Sequence, residues 1–285
     1  MPGAGSFDLD VGVPLDVQGD FIFLLKCFAA LFAMDWLLVN VVKWFPERAS
    51  TTRYFSLHIL VNAYVVVIHF KDVVAAYSDP TNAYLGPCDT RGTVAIFALH
   101  IYHIIFYRPL PWVDWVHHVV MVIVMLPLAY MLAPGHMIAH GAFYASGLPG
   151  GIDYIFLVLI KCNVISKMQE KEWNVWVQNW VRAPGCIIHA WLTYHNLVEA
   201  NKRIADPDLS MRLPTSTIPL IRDQTLANVA AWVVILTFYW NGMYFLERVI
   251  RSHERHLVLQ TLDVSPRDLA AKEKDARAAA KKKNN

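Results

Sequence analysis

The stretch from Thr93 to Leu132 reads TVAIFALHIYHIIFYRPLPWVDWVHHVVMVIVMLPLAYML, and its reading decides the fold. It holds two apolar runs, each close to the length a helix needs to cross a bilayer core about 30 Å thick. Only Arg108-Pro109-Leu110-Pro111 separates them, so the two runs form a tight helical hairpin. Ala133-Pro134-Gly135-His136 makes the same kind of turn into the next run. Working outward, comparable segments lie at about Phe21–Val42, Tyr54–Phe70, Thr93–Leu110, Trp112–Leu132, Met137–Ile160, Val175–Val198 and Leu226–Ile250. The second is short and the fifth is interrupted, so the count lies between six and eight. The expected fold is an all-α, polytopic membrane bundle of about seven transmembrane helices over residues 21–250. An acidic tail (1–20) precedes it and a basic tail (251–285) follows.

Composition agrees. Of 285 residues, 56% are hydrophobic and only 17% charged, against roughly a quarter charged in soluble domains. Mean hydropathy is +0.35, which excludes intrinsic disorder. Net charge is +2, but residues 251–285 hold nine of the 25 Lys and Arg against five acidic residues. Nucleic-acid binding would place basic residues along a folded face and not on a tail. Asp8, Asp10, Asp16 and Asp20 stand where a signal peptide would carry basic residues, so the first segment is expected to be a retained span. Cys27, Cys162 and Cys186 fall in or beside apolar stretches, Cys88 falls in a water-exposed loop, and no C-x-x-C pair suggests a redox or zinc site.

With seven spans, the basic tail sets the orientation: C-terminus cytosolic, N-terminus lumenal or external. The chain ends Lys281-Lys282-Lys283-Asn284-Asn285. Lys282 and Lys283 resemble the cytosolic dilysine signal, read by coat machinery, that returns proteins to the endoplasmic reticulum.

Ionisable groups at membrane depth are costly and usually face a cavity or another helix. Asp114, His117, His118 and Met121 share one helix face, and Asp114 is placed to orient a histidine. His100, His103 and Tyr107 form a second stripe, and His136, His140 and Tyr144 a third. Such a set suits a histidine metal site, acid/base work on a lipid, or hydrogen bonding between helices; the H-x-x-H-H boxes of the metal reading are absent. Gly147-Leu148-Pro149-Gly150-Gly151 interrupts the fifth segment and should expose backbone carbonyls. Asp153 follows, with Arg182, His103 or His117 as its possible partner. Pro184-Gly185 suggests a further kink, and Trp173, Trp176 and Trp180 an interfacial belt. Lys26 is read near the end of the first span. No phosphate loop, Ser/His/Asp triad, catalytic cysteine or cofactor motif is present.

The order of these features resembles the TLC-domain family, which includes ceramide synthases and translocation-associated membrane proteins. The resemblance covers about Thr52 to Ile250. It is carried by Arg53-Tyr54-Phe55-Ser56-Leu57-His58, by Asp114-Trp115-Val116-His117-His118, and by the break from Ser146 to Tyr154. In the synthases a histidine pair and a following His-Asp-x-x-Asp support acyl transfer from acyl-CoA to a sphingoid amine. His117, His118 and Asp153 match that pattern, whereas Pro149 and Gly150 stand at its histidine and first aspartate. The chain is therefore more similar to the non-synthase members.

Together these readings imply an endoplasmic-reticulum membrane protein that binds a lipid in a cavity walled by spans three to six. His117, His118 and Asp153 are the candidate reactive groups; His103, Asp114, His140, Tyr144 and Arg182 are candidate lipid contacts. The alternatives are an acyl-CoA-dependent acyltransferase and a trafficking subunit of a membrane complex. Membrane lipid is the expected partner, with no metal or nucleic acid.

Overall fold

A computed structural model describes residues 13–41, 49–107, 109–206, 217–218 and 220–262. Lys282 and Lys283 lie outside the described residues. The described helical segments join into rods α1 (Val17–Asn40), α2 (Ala49–Ser78), α3 (Arg91–Phe106), α4 (Trp112–Leu132), α5 (His136–Lys161), α6 (167–205) and α7 (Gln224–Thr261). Five of them, α1, α2, α4, α5 and α7, are long and apolar enough to cross a membrane. The others fall short for different reasons: α3 is apolar but has 16 residues, and α6 opens on the polar run Lys167-Met168-Gln169-Glu170-Lys171-Glu172.

Local chemistry sets the helix ends. Asp16 accepts from the Gly19 amide (2.8 Å) and starts α1 earlier than its apolar run suggests, leaving Lys26 mid-helix. Ser166 and Gln169 form a reciprocal capping box at the start of α6. Asp223 caps α7 through the Leu226 amide. In the α4–α5 turn Gly135 has φ +53°, and a Cβ there would lie 2.7 Å from the backbone of Ala83 and Tyr84, so this turn requires glycine. The second segment is not short, because α2 continues in both directions to 30 residues. At 38 residues, α7 is about 57 Å long and outruns the membrane core. Its polar end, with Glu247 and Arg251 paired one turn apart at 2.6 Å, stays helical past residue 251, where a tail is expected.

The helices α2 to α7 close into a ring. α3 packs beside α4 and α2, α2 against α5, α5 against α6, α6 against α7, and α7 returns to α4. α1 lies outside, on α2 and α3. It is held by apolar packing of Leu31 on Leu57, Ala98, Leu99 and Tyr102, and by Asp35. That carboxylate meets Arg53 at 3.0 Å and accepts hydroxyl hydrogen bonds from Tyr102 and Tyr107, both 2.9 Å. At its other end Asp20 accepts from Thr90 and Tyr130, each 2.7 Å. Val13 and Pro14 pair in parallel with Thr217 and Ile218 above the same end.

The glycine-proline stretch does not break α5. A π-helical turn at Phe143–Gly147 absorbs it and the helix continues to Lys161. A second π stretch, Gln178–Arg182, precedes Pro184 and Gly185 within α6, which also runs on as helix. A third covers His118–Met125 in α4. π turns widen a helix and concentrate at functional sites; here all three face the space inside the ring. Trp173, Trp176 and Trp180 are exposed on its outer surface, and the most exposed cysteine is Cys162, not Cys88.

Candidate functional site

The ring encloses one long cavity of about 1360 Å³, larger than the 300–1,000 Å³ usual for small-molecule pockets. It follows α4 from Val113 to Ala133, a rise of about 30 Å. Its walls come from α2 and α7 as well as the four helices expected. Each π stretch supplies lining: His118, Met121 and Met125 from α4, Ala145 and Ser146 from α5, Gln178 and Arg182 from α6. The middle is apolar, with Met121, Met125, Ile138, Val234 and Phe238, while both ends are polar.

The first end, beside the α3–α4 turn, gathers five imidazoles from three helices. His58 of α2 has its ring 5.7 and 5.8 Å from those of His100 and His103. His118 lies 5.2 and 5.0 Å from the same two rings, and His117 lies 5.9 Å from His100. Helix geometry fixes several tautomers, because a carbonyl only accepts. His58 Nδ1 donates to the Tyr54 carbonyl (2.9 Å) and His100 Nδ1 to that of Ile96 (2.8 Å). In the neutral ring each Nε2 is then an acceptor. His118 Nδ1 donates to the main-chain carbonyl of Asp114, and His118 Nε2 accepts from His103 Nδ1 at 3.2 Å. Asp114 thus orients the pair through its backbone and not through its carboxylate, which lies on the cavity wall. His117 Nδ1 is buried without a hydrogen-bond partner, and its ring lies 5.8 Å from that of Phe245.

Asp153 reaches the same cavity but a different set of partners. Of the three candidates it takes Arg182, at 3.8 Å, and accepts from Gln178 Nε2 at 3.2 Å. Arg182 also donates to the Ala145 carbonyl (2.9 Å) within the π turn of α5, and lies 4.4 Å over the Phe245 ring. The carbonyl left open here is that of Ala145, four residues before Pro149 and outside the Gly147–Gly151 stretch, and the Arg182 guanidinium takes it. Glu170, Lys171 and Asn174 extend this buried polar wall.

Three predicted contacts lie off the wall. His103 stands behind His118. His140 stacks on His189, with Nδ1 atoms 3.2 Å apart. Tyr144 packs against Gly185 and accepts from the Tyr77 hydroxyl at 3.3 Å. Conversely, Tyr54, His58, Asn62 and Tyr154 line the cavity without having been picked out as site residues. The two tyrosine hydroxyls meet at 3.0 Å, and Ser146 donates to Asn62 at 2.9 Å. Each belongs to a contact between distant helices. Only the Arg53–His58 motif drew attention to α2.

The second end of the cavity lies under the α2–α3 loop, lined by Tyr84, Asn196, Asn201, Arg203 and Arg222. Arg203 donates to Asn82 at 2.6 Å and lies 5.8 Å from the Tyr84 ring. No family description, curated protein or solved structure matches this chain.

Proposed function

We propose that this is a multi-pass membrane protein that holds one lipid-like amphiphile inside its helix ring. The observation that carries this is the polar–apolar–polar cavity running the length of α4. The head group sits among His58, His100, His117 and Arg182, and the chain follows Met121, Met125 and Phe238. Moving a chain from bilayer to an apolar cavity gains little, because lipid tails are as apolar as the wall. Selectivity therefore rests on the head group, where each hydrogen bond contributes about 0.5–1.5 kcal/mol. The reading extends to seven spans with a cytosolic C-terminus, endoplasmic-reticulum residence, and membership of the TLC-like proteins that influence lipid composition. Comparative lipidomics of a deletion strain and a His117→Ala/His118→Ala strain tests it. We expect the two profiles to shift together; a double mutant indistinguishable from wild type contradicts the role given to the pair.

One observation favours a second, catalytic reading. His117 lines the cavity with an unpartnered Nδ1, while His118 Nε2 is occupied by His103. If the protein is an acyltransferase, His117 is the better-placed general base. Purified protein should then consume acyl-CoA thioester in the presence of an amine or alcohol acceptor, and His117→Ala should abolish this. No thioester loss in wild type rules it out.

A further inference from the structure

A separate cluster at the second end of the ring has no part in the cavity. His69 and Asp72 lie on α2, Asp89 on the loop leading to α3, and one ligand atom from each falls within 4.8 Å of the others. His69 is 0% and Asp72 2% exposed. Neither ring nitrogen of His69 has a hydrogen-bond partner, and nor does Asp72 Oδ2. These unsatisfied atoms face one another, His69 Nδ1 standing 3.9 Å from Asp72 Oδ2. The opposite edge of the ring lies over Gly92, where a Cβ would lie 2.0 Å from His69 Nε2, so only glycine there leaves room for the imidazole beside the carboxylates. Asp72 Oδ1 is held independently, accepting from His136 Nδ1 at 2.7 Å.

We propose that His69, Asp72 and Asp89 bind a divalent transition-metal ion, with zinc the best fit, which staples the α2–α3 loop to the ring. A buried imidazole nitrogen and a buried carboxylate oxygen left unmet are costly, and an ion bound to His69 Nδ1 and Asp72 Oδ2 satisfies both. Zinc bonds to imidazole nitrogen and carboxylate oxygen at about 2.0–2.2 Å, which puts tetrahedral ligands about 3.4 Å apart. The 3.9 Å pair closes to that spacing by a small movement. Two carboxylates neutralise the ion, the imidazole favours zinc over magnesium or calcium, and His136 braces Asp72 as ligating carboxylates are usually braced. Arg91 now holds both oxygens of Asp89, at 2.9 and 2.6 Å, with its guanidinium half exposed. It is the group the ion must displace, and it can swing into solvent.

Full-length protein in detergent, stripped with chelator and titrated with Zn²⁺, tests this by metal content after desalting and by unfolding temperature. We expect about one zinc per chain and a rise in unfolding temperature that chelator reverses. His136→Phe should weaken binding 10–100-fold, and Asp89→Asn should also weaken it. Arg91→Ala should tighten it, the reverse of what a purely structural ion pair would show. Asp89 and Arg91 sit at the edge of the cluster, so these two variants remain informative if a His69 variant fails to fold. Wild-type protein that retains no zinc and shows no Zn²⁺-dependent shift, or tighter binding of Mg²⁺ or Ca²⁺, overturns the proposal. So does weaker zinc binding by Arg91→Ala.

Discussion

The two ends of the ring both concentrate histidine, yet in different company. At the first end, five imidazoles contact one another, tyrosines and main-chain carbonyls, and among the described residues no carboxylate hydrogen-bonds to any of them. Three are on the cavity wall through α3 and α4, and a fourth through α2. At the second end, His69 and His136 surround a buried carboxylate and neither lines the cavity. The first arrangement offers acceptor nitrogens to a neutral, hydrogen-bonding head group; the second offers negative charge to a cation. Histidine alone says little about function, and its partners decide.

The largest contrast should appear in stability. Asp72→Ala removes the carboxylate that accepts from His136 and faces His69, and loss of one partner from a buried pair costs about 3–5 kcal/mol. His118→Phe leaves the buried His103 Nδ1 donor without its acceptor, costing about 1–3 kcal/mol. Denaturant unfolding in detergent separates the two; equal losses would erase the proposed difference between the ends. Next comes occupancy. Replacing Ala129, on the cavity wall, with Trp should empty the cavity of lipid while the fold survives, as lipid extraction and circular dichroism would show. Retained lipid would place the ligand elsewhere. His117→Ala removes one head-group contact, so bound lipid should fall about two- to tenfold, while Asp72→Asn leaves it unchanged.

The smallest effect concerns cysteine chemistry near the second end. Burial, reinforced by Asp20 and Asp89, pushes the Cys88 thiol up to about 12. Only the thiolate reacts, so at pH 8 about one Cys88 in ten thousand is reactive, whereas exposed Cys162 should label readily with maleimide. Cys162 ends α5 on the side proposed to be cytosolic, so labelling in sealed vesicles also reads orientation. Asp72→Ala should raise Cys88 labelling by loosening the loop; unchanged labelling would detach the loop from that carboxylate.

Most helices were legible because apolar length is a local property, and the two four-residue turns left no other topology. Boundaries failed where polar residues stay helical: α7 runs to Thr261 on side-chain pairing such as Glu247–Arg251, and the start of α6 is too polar to read as a span. The histidine pair and Asp153 were legible as ionisable groups in apolar surroundings. Their geometry was not. Asp114 acts through its carbonyl because His118 folds back on the preceding turn, as His58 and His100 do, and a glycine-proline run fits either a break or a bulge. His69 and Asp72 stand three residues apart on α2, but the cluster was invisible because only the return of the α2–α3 loop brings Asp89 to them.

The most direct test is an experimental structure in lipid nanodiscs. The account predicts one elongated density running beside His117 and His100, past Met121 and Met125, toward Phe238. A cavity filled by solvent alone, or collapsed by closure of α4 on α7, would contradict it.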